Sequence, residues 1–218
     1  MRESRGMTSE VMQERKVVRH AKGKKSLLAL TSVLLCIAML SGTAFAAIGT
    51  FEDVPESAEY FEAVETLVAF GIVKGDENGK FNPDSTITRA EAATMICRLV
   101  GVEEEALAIK SASFDDVPSS HWAVGYVTKC VELGIINGYG NGKFGPSDPV
   151  TYEQMVKMLV CAWGYEDMAN EAGGYPDGYL AFAREYYIFD GSVAGAIACP
   201  RSEVSKMCYN ILCIVPAE

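Results

Sequence analysis

Two arginines stand where a guanidinium could grip an anion: Arg89, directly after Thr88, and Arg201, directly after Pro200. A planar guanidinium offers two parallel N–H bonds to a carboxylate, a geometry that a lysine lacks. The residues around them have a separate task. Thr88 lies three residues before Glu91 at the start of an apolar run, the spacing of a capping box, in which hydroxyl and carboxylate satisfy free backbone N–H groups reciprocally. Thr151 with Gln154 repeats the pattern, and Glu203 holds the same place after Arg201, although the threonine is lost there. These residues serve the helix start whether or not a ligand binds. Arg89 has no capping task, and the alternative for it is a solvated surface side chain worth little to stability.

Other chemistry is excluded by spacing. Asp76-Glu77-Asn78-Gly79 fails as a calcium loop: with Gly79 at the sixth position, Lys74 falls first and Ser85 last, where acidic ligands are required. The chain has two histidines, His20 and His121, neither beside a Cys or His at metal spacing, so no metal is expected. No nucleophile motif, phosphate loop or dinucleotide fingerprint is present, and no enzyme activity or cofactor is expected.

The N-terminus reads as a targeting segment. Arg15, Lys16, Arg19, Lys22, Lys24 and Lys25 precede an apolar run from Leu27 to Leu40, and Ala44-Phe45-Ala46 supplies a small-x-small cleavage pattern. The expectation is a signal peptide over residues 1–46. The alternative, an uncleaved anchor, needs roughly 20 apolar residues, more than this run holds. After Ala46 the chain has 11 Lys+Arg and 26 Asp+Glu, a formal charge of −15. Such a surface repels nucleic-acid phosphates and anionic lipid, so neither is an expected partner once the signal is removed.

An internal repeat decides the architecture. Residues 51–101 laid on 114–164 without a gap give 18 identities in 51 positions, a period of 63. Each copy carries two helical stripes. Val64, Leu67 and Val68 match Val127, Cys130 and Val131; Ala92, Met95, Ile96 and Leu99 match Met155, Met158, Leu159 and Ala162. Between the stripes, Gly75 to Pro83 and Gly138 to Pro146 have the Gly, Asn and Pro content of loops. A third, shorter copy follows. Val204, Met207, Cys208 and Ile211 repeat the second stripe, and Leu180 to Gly191 lie on Val127 to Gly138. One helix pair cannot bury its stripe alone, so the copies must pack on one another. The expected fold is all-α: three helix-loop-helix repeats in a pseudo-threefold six-helix bundle, with repeats at 47–110, 111–173 and 174–218. In that register Cys97, Cys130, Cys199 and Cys208 occupy apolar sites, which favours core thiols over a disulfide framework.

Phe51-Glu52-Asp53-Val54, Gly71-Ile72-Val73-x-Gly75, Gly79-Lys80-Phe81-x-Pro83 and Ile87-Thr88-Arg89-Ala90-Glu91 resemble, in order and spacing, the signature of an S-layer homology domain. The second copy resembles it through Phe114-Asp115-Asp116-Val117, His121-Trp122-Ala123 and Gly142-Lys143-Phe144-x-Pro146. The resemblance implies a secreted bacterial protein held non-covalently on secondary cell-wall polymer, commonly a pyruvylated polysaccharide, through grooves between three repeats. It implies a location in the cell wall or surface layer. A structural protein that assembles with other surface-layer proteins, its grooves vestigial, is the alternative.

Within that resemblance, Arg89 and Arg201 are the expected cationic anchors. Tyr152 replaces the arginine in the second copy, to stack on a sugar face or to mark a groove that no longer binds. Trp122 suits the mouth of a groove or a buried packing role. Asp53 and Asp116 cap the first helix of their copies or accept bonds from sugar hydroxyls. Lys80 and Lys143, beside glycines that let a ligand approach the backbone, add positive charge at a groove or are solvated loop lysines.

Overall fold

The computed structural model describes residues 49–111, 113–191 and 195–217. The segment read as a signal peptide lies outside them. Eight helices and no strand occur among the described residues: α1 (Phe61–Ala69), α2 (Arg89–Leu99), α3 (Glu103–Ala108), α4 (Val124–Glu132), α5 (Tyr152–Ala162), α6 (Glu166–Glu171), α7 (Asp177–Glu185) and α8 (Arg201–Leu212). Six are the expected repeat helices. The short α3 and α6 are additional. Each buries one residue, Ala106 or Ala169, so neither carries a stripe that periodicity would detect.

The repeat helices find their partners in other copies. The second helix of copy one, α2, packs on α4 of copy two; α5 packs on α7; and α8, the last described helix, packs on α1, the first. The described chain is thereby closed into a ring of three inter-copy helix pairs. Gly125 on α4 approaches the end of α3 so closely that a Cβ would lie 1.9 Å from the Ala106 carbonyl oxygen. Only glycine fits that contact.

The segments entering α2, α5 and α8 meet at the centre. Isolated antiparallel bridges join Thr86 to Pro200, Thr88 to Pro149 and Thr151 to Ala198. The Val150 N–H donates to the Ile87 carbonyl and the Cys199 N–H to that of Val150, each at 2.9 Å. Ile87, Val150 and Cys199, at corresponding positions, are all buried. The six cysteines among the described residues are free thiols, four of them buried, and Cys97 Sγ lies 3.5 Å from Cys130 Sγ.

Both capping boxes form. Thr88 Oγ1 accepts from the Glu91 N–H at 3.2 Å while Glu91 Oε2 accepts from the Thr88 N–H at 2.7 Å. Thr151 and Gln154 exchange the same two bonds at 3.3 Å. Glu203, expected to act as a third capping residue, does not: α8 has no side-chain cap. Pro200 has no N–H for a carboxylate to reach, and Glu203 instead accepts from Lys206 Nζ at 3.0 Å. The neighbouring copy supplies the missing acceptors, since the Arg201 and Ser202 N–H groups donate to the carbonyls of Ser85 and Pro83 at 2.8 and 3.0 Å.

Candidate functional site

Arg89 is not a solvated surface residue. Only 4% of it is exposed, and it crosses from α2 into the loop of copy two. Its Nε donates to the Phe144 carbonyl at 2.9 Å and its Nη2 to the Asn137 carbonyl at 3.2 Å. The guanidinium carbon lies 4.6 Å from the Phe144 ring centroid and 4.8 Å from that of Tyr139. Burial lowers its pKa, opposed by the nearby Tyr139 and Asp148; an arginine starts so high that it stays charged. The guanidinium lines a groove with Tyr139, Gln154, Lys157 and Tyr175.

Arg201 repeats this arrangement against copy one. Its Nη2 donates to the Lys74 carbonyl, and Lys74 corresponds to Asn137. Its guanidinium carbon lies 5.0 Å from the centroid of Phe81, which corresponds to Phe144. One difference matters: Arg201 Nε is buried without a hydrogen-bond partner, where Arg89 Nε has one. This second groove is lined by Arg201, Asp76, Glu91, Arg98 and Trp122. Its volume is about 360 Å³ against about 180 Å³ for the first. Asp76 lines the second groove at the position that Tyr139 holds in the first.

Trp122 is 60% exposed at the second groove, so the packing alternative is set aside. It stacks beside His121, centroid to centroid 5.7 Å, and His121 Nδ1 accepts from the Ala123 N–H at 3.1 Å. Tyr175, 48% exposed, occupies the same place in the first groove. Each groove therefore has a guanidinium on its floor and an aromatic ring at its mouth. Such a pair can bond an acidic or hydroxylated group and stack on the flat face of a sugar ring.

The remaining residues fall elsewhere. Tyr152, at the position of Arg89, is buried with its ring 5.2 Å from that of Phe189. Glu59, at the position of Trp122, pairs with Lys206 at 3.6 Å. The third equivalent position thus has a packed phenol for the guanidinium and a carboxylate for the aromatic. Asp53 and Asp116 neither cap α1 or α4 nor line a groove. Asp53 accepts from the Phe81 and Asn82 N–H groups at 2.9 and 2.7 Å, and Asp116 from Phe144 and Gly145, both at 2.8 Å. Partial burial works to raise both pKa values, but the backbone hydrogen bonds outweigh it and hold each below the usual carboxylate range. Each aspartate clasps its own loop. Lys80 and Lys143 are exposed and line neither groove.

The sequence reading missed Tyr175, Tyr139 and Lys157. The signal for Tyr175 was present: the register that lays Leu180 on Val127 also lays Tyr175 on Trp122. Tyr139 and Lys157 differ from their counterparts Asp76 and Thr94, so identity between copies could not point to them.

Residues 50–93 and 113–156 match the S-layer homology domain. Each matched segment runs from the Phe-x-Asp-Val start into α2 or α5, so each includes a loop that faces an arginine. The chain is also similar to longer proteins. It is 36% identical over 172 residues to a cell surface protein of Thermoanaerobacter kivui, which is 78% of this chain and 22% of that protein. It is 36% identical over 156 residues to the middle cell wall protein of Brevibacillus brevis, 71% of this chain and 15% of that one. It is 32% identical over 121 residues to an endoglucanase of a Bacillus sp., 56% of this chain and 12% of the enzyme. The chain spans less than a quarter of the length of each. No described helix is long and apolar enough to cross a membrane.

Proposed function

We propose that this chain anchors to the wall of a bacterial cell by binding secondary cell-wall polysaccharide, with acidic pyruvyl groups, in the grooves that Arg89 and Arg201 floor. The reading rests on one observation above others. Two arginines in corresponding positions each lie across an aromatic ring and a backbone carbonyl of another copy, below an exposed aromatic side chain. A structural role alone accounts for the guanidinium bonds to carbonyls. It leaves Trp122 and Tyr175 exposed at the same place in two grooves. Residues 174–218 act in this reading as a third, shortened repeat whose α8 closes the ring on α1, and residues 1–46 direct export to the cell surface. The activity is binding without turnover. The similarity of this chain to part of surface proteins and of an endoglucanase supports a module shared by proteins of different activity.

Co-sedimentation of residues 47–218 with purified sacculi tests this. Trp122→Ala with Tyr175→Ala removes two exposed rings and leaves the fold intact, and Arg89→Gln with Arg201→Gln removes the cations, with helicity checked by circular dichroism. Binding by the parent and loss in both double variants supports groove anchoring; undiminished sedimentation of both variants refutes it. A second reading, assembly with other surface-layer proteins, draws on Tyr152 and Glu59, which replace the binding features at the third position. It predicts concentration-dependent self-association in sedimentation velocity without affinity for sacculi.

A further inference from the structure

Gln154 and Glu91 do the same work in folding and opposite work in charge. Each is the third residue of its helix and reaches back to the N–H of its threonine cap, Gln154 through Oε1 and Glu91 through Oε2. Each also lines a groove, Gln154 beside Arg89 and Glu91 beside Arg201. With Oε1 engaged, Gln154 keeps an amide NH2 to donate, whereas a carboxylate only accepts.

The neighbouring positions divide the same way. Tyr139 and Lys157 line the Arg89 groove where Asp76 and Thr94 line the other. The Arg89 groove thus has two cations and no carboxylate in its lining. Three carboxylates stand close behind that lining, each with a partner of its own: Asp148 accepts from Tyr139 Oη at 2.9 Å, Glu153 from the Gly195 N–H at 2.8 Å, and Asp116 from the Phe144 and Gly145 N–H groups. In the Arg201 groove the lining itself includes two carboxylates, Asp76, which also accepts from Asn78, Lys80 and Asn82, and Glu91, which also caps α2; they stand with Arg201, Lys74 and Arg98, and Arg98 is held by Glu103 at 2.8 Å. The remaining charges there balance. Unlike the Arg89 groove, this one also has a buried guanidinium N–H, at Nε, with nothing to bond.

We propose that the capping residue of each groove selects the charge of its sugar: Gln154 makes the Arg89 groove a site for a carboxylate-bearing sugar, and Glu91 with Asp76 makes the Arg201 groove a site for an uncharged one. The inference rests on the polysaccharide reading above and divides the polymer between the grooves. An acidic residue seats against Arg89, Lys157 and the Gln154 amide. A neutral residue seats against Trp122, accepts from the Arg201 guanidinium and donates its hydroxyls to the two carboxylates.

The test uses residues 47–218 labelled at arginine, with the Nε–H resonances of Arg89 and Arg201 reporting each groove by NMR. The probes are a hexose pyruvate ketal and its uncharged methyl ester. The acid should bind at Arg89 at least about tenfold more tightly than the ester, and the order should reverse at Arg201. Q154E installs the Thr-Glu box already present at Thr88 and Glu91, so the cap survives; it should weaken acid binding at Arg89 by about tenfold. E91Q should admit the acid at Arg201. Equal affinities of the two grooves for the acid, or no effect of Q154E, overturn the inference while leaving sacculus binding standing. Absence of any acid-induced shift overturns it too, and the wall-binding reading falls with it only if the parent chain also fails to sediment with sacculi.

Discussion

Arg201 Nη2 lies 2.6 Å from the carbonyl oxygen of Lys74, a residue 127 positions earlier in the chain. With α8 packed on α1, this bond fastens the last helix to the first loop and completes the ring that Arg89 begins. The same two arginines line the grooves, so ring closure and the proposed recognition draw on one pair of side chains.

Replacing Arg89 therefore has a cost apart from any ligand. Arg89→Ala leaves the Phe144 and Asn137 carbonyls without their charged donor and empties the space between two rings. We expect a loss of about 2–4 kcal/mol in urea unfolding. Arg201→Ala, with one such bond and an unpartnered Nε, should cost less, about 1–2 kcal/mol.

The two corresponding carboxylates, Glu91 and Glu203, should behave differently. Glu91→Ala removes half of a formed box and should cost about 1 kcal/mol. Glu203→Ala removes only the contact with Lys206 and should stay within about 0.5 kcal/mol. Equal costs in thermal unfolding would show that Glu203 caps α8 after all.

The central junction is sensitive to volume. Ile87, at 1% exposure, meets the corresponding segments of the other copies, and Ile87→Ala should cost about 2–5 kcal/mol in chemical denaturation. Because the junction joins all three copies, unfolding should remain a single transition.

Asp53 and Asp116 give the fold an acid limit. Their pKa values are lowered in the folded chain, so the folded state binds protons less readily than the unfolded one. Their contribution is fully present above the unfolded value of about 4 and is lost as pH falls through the lowered folded values. In Asp53→Asn with Asp116→Asn, the slope of stability against pH below about pH 4 should flatten.

Much of this was legible in the sequence because the repeat recurs without a gap. The apolar stripes, both capping boxes, the loops and the burial of Cys97 and Cys130 follow from the two copies at a period of 63, and the burial of Cys199 and Cys208 from the shorter third copy. What periodicity cannot express is which copy a helix packs against. The expectation of a helix pair within each copy gave no hint that Arg89 meets carbonyls 48 and 55 residues away. The clasping role of Asp53 and Asp116 escapes a local pattern for the same reason. Their partners, the amides of Phe81 and Phe144, lie 28 residues on, across a loop whose path no local pattern fixes.

The most direct test of the central claim compares binding of residues 47–218 to sacculi before and after mild acid has removed the pyruvyl groups. Groove anchoring through an acidic sugar requires strong sedimentation with untreated sacculi and loss of most of it after treatment, with a parallel loss as salt rises. Equal sedimentation with both preparations would contradict it, since the Arg89 groove would then have no acidic partner to hold.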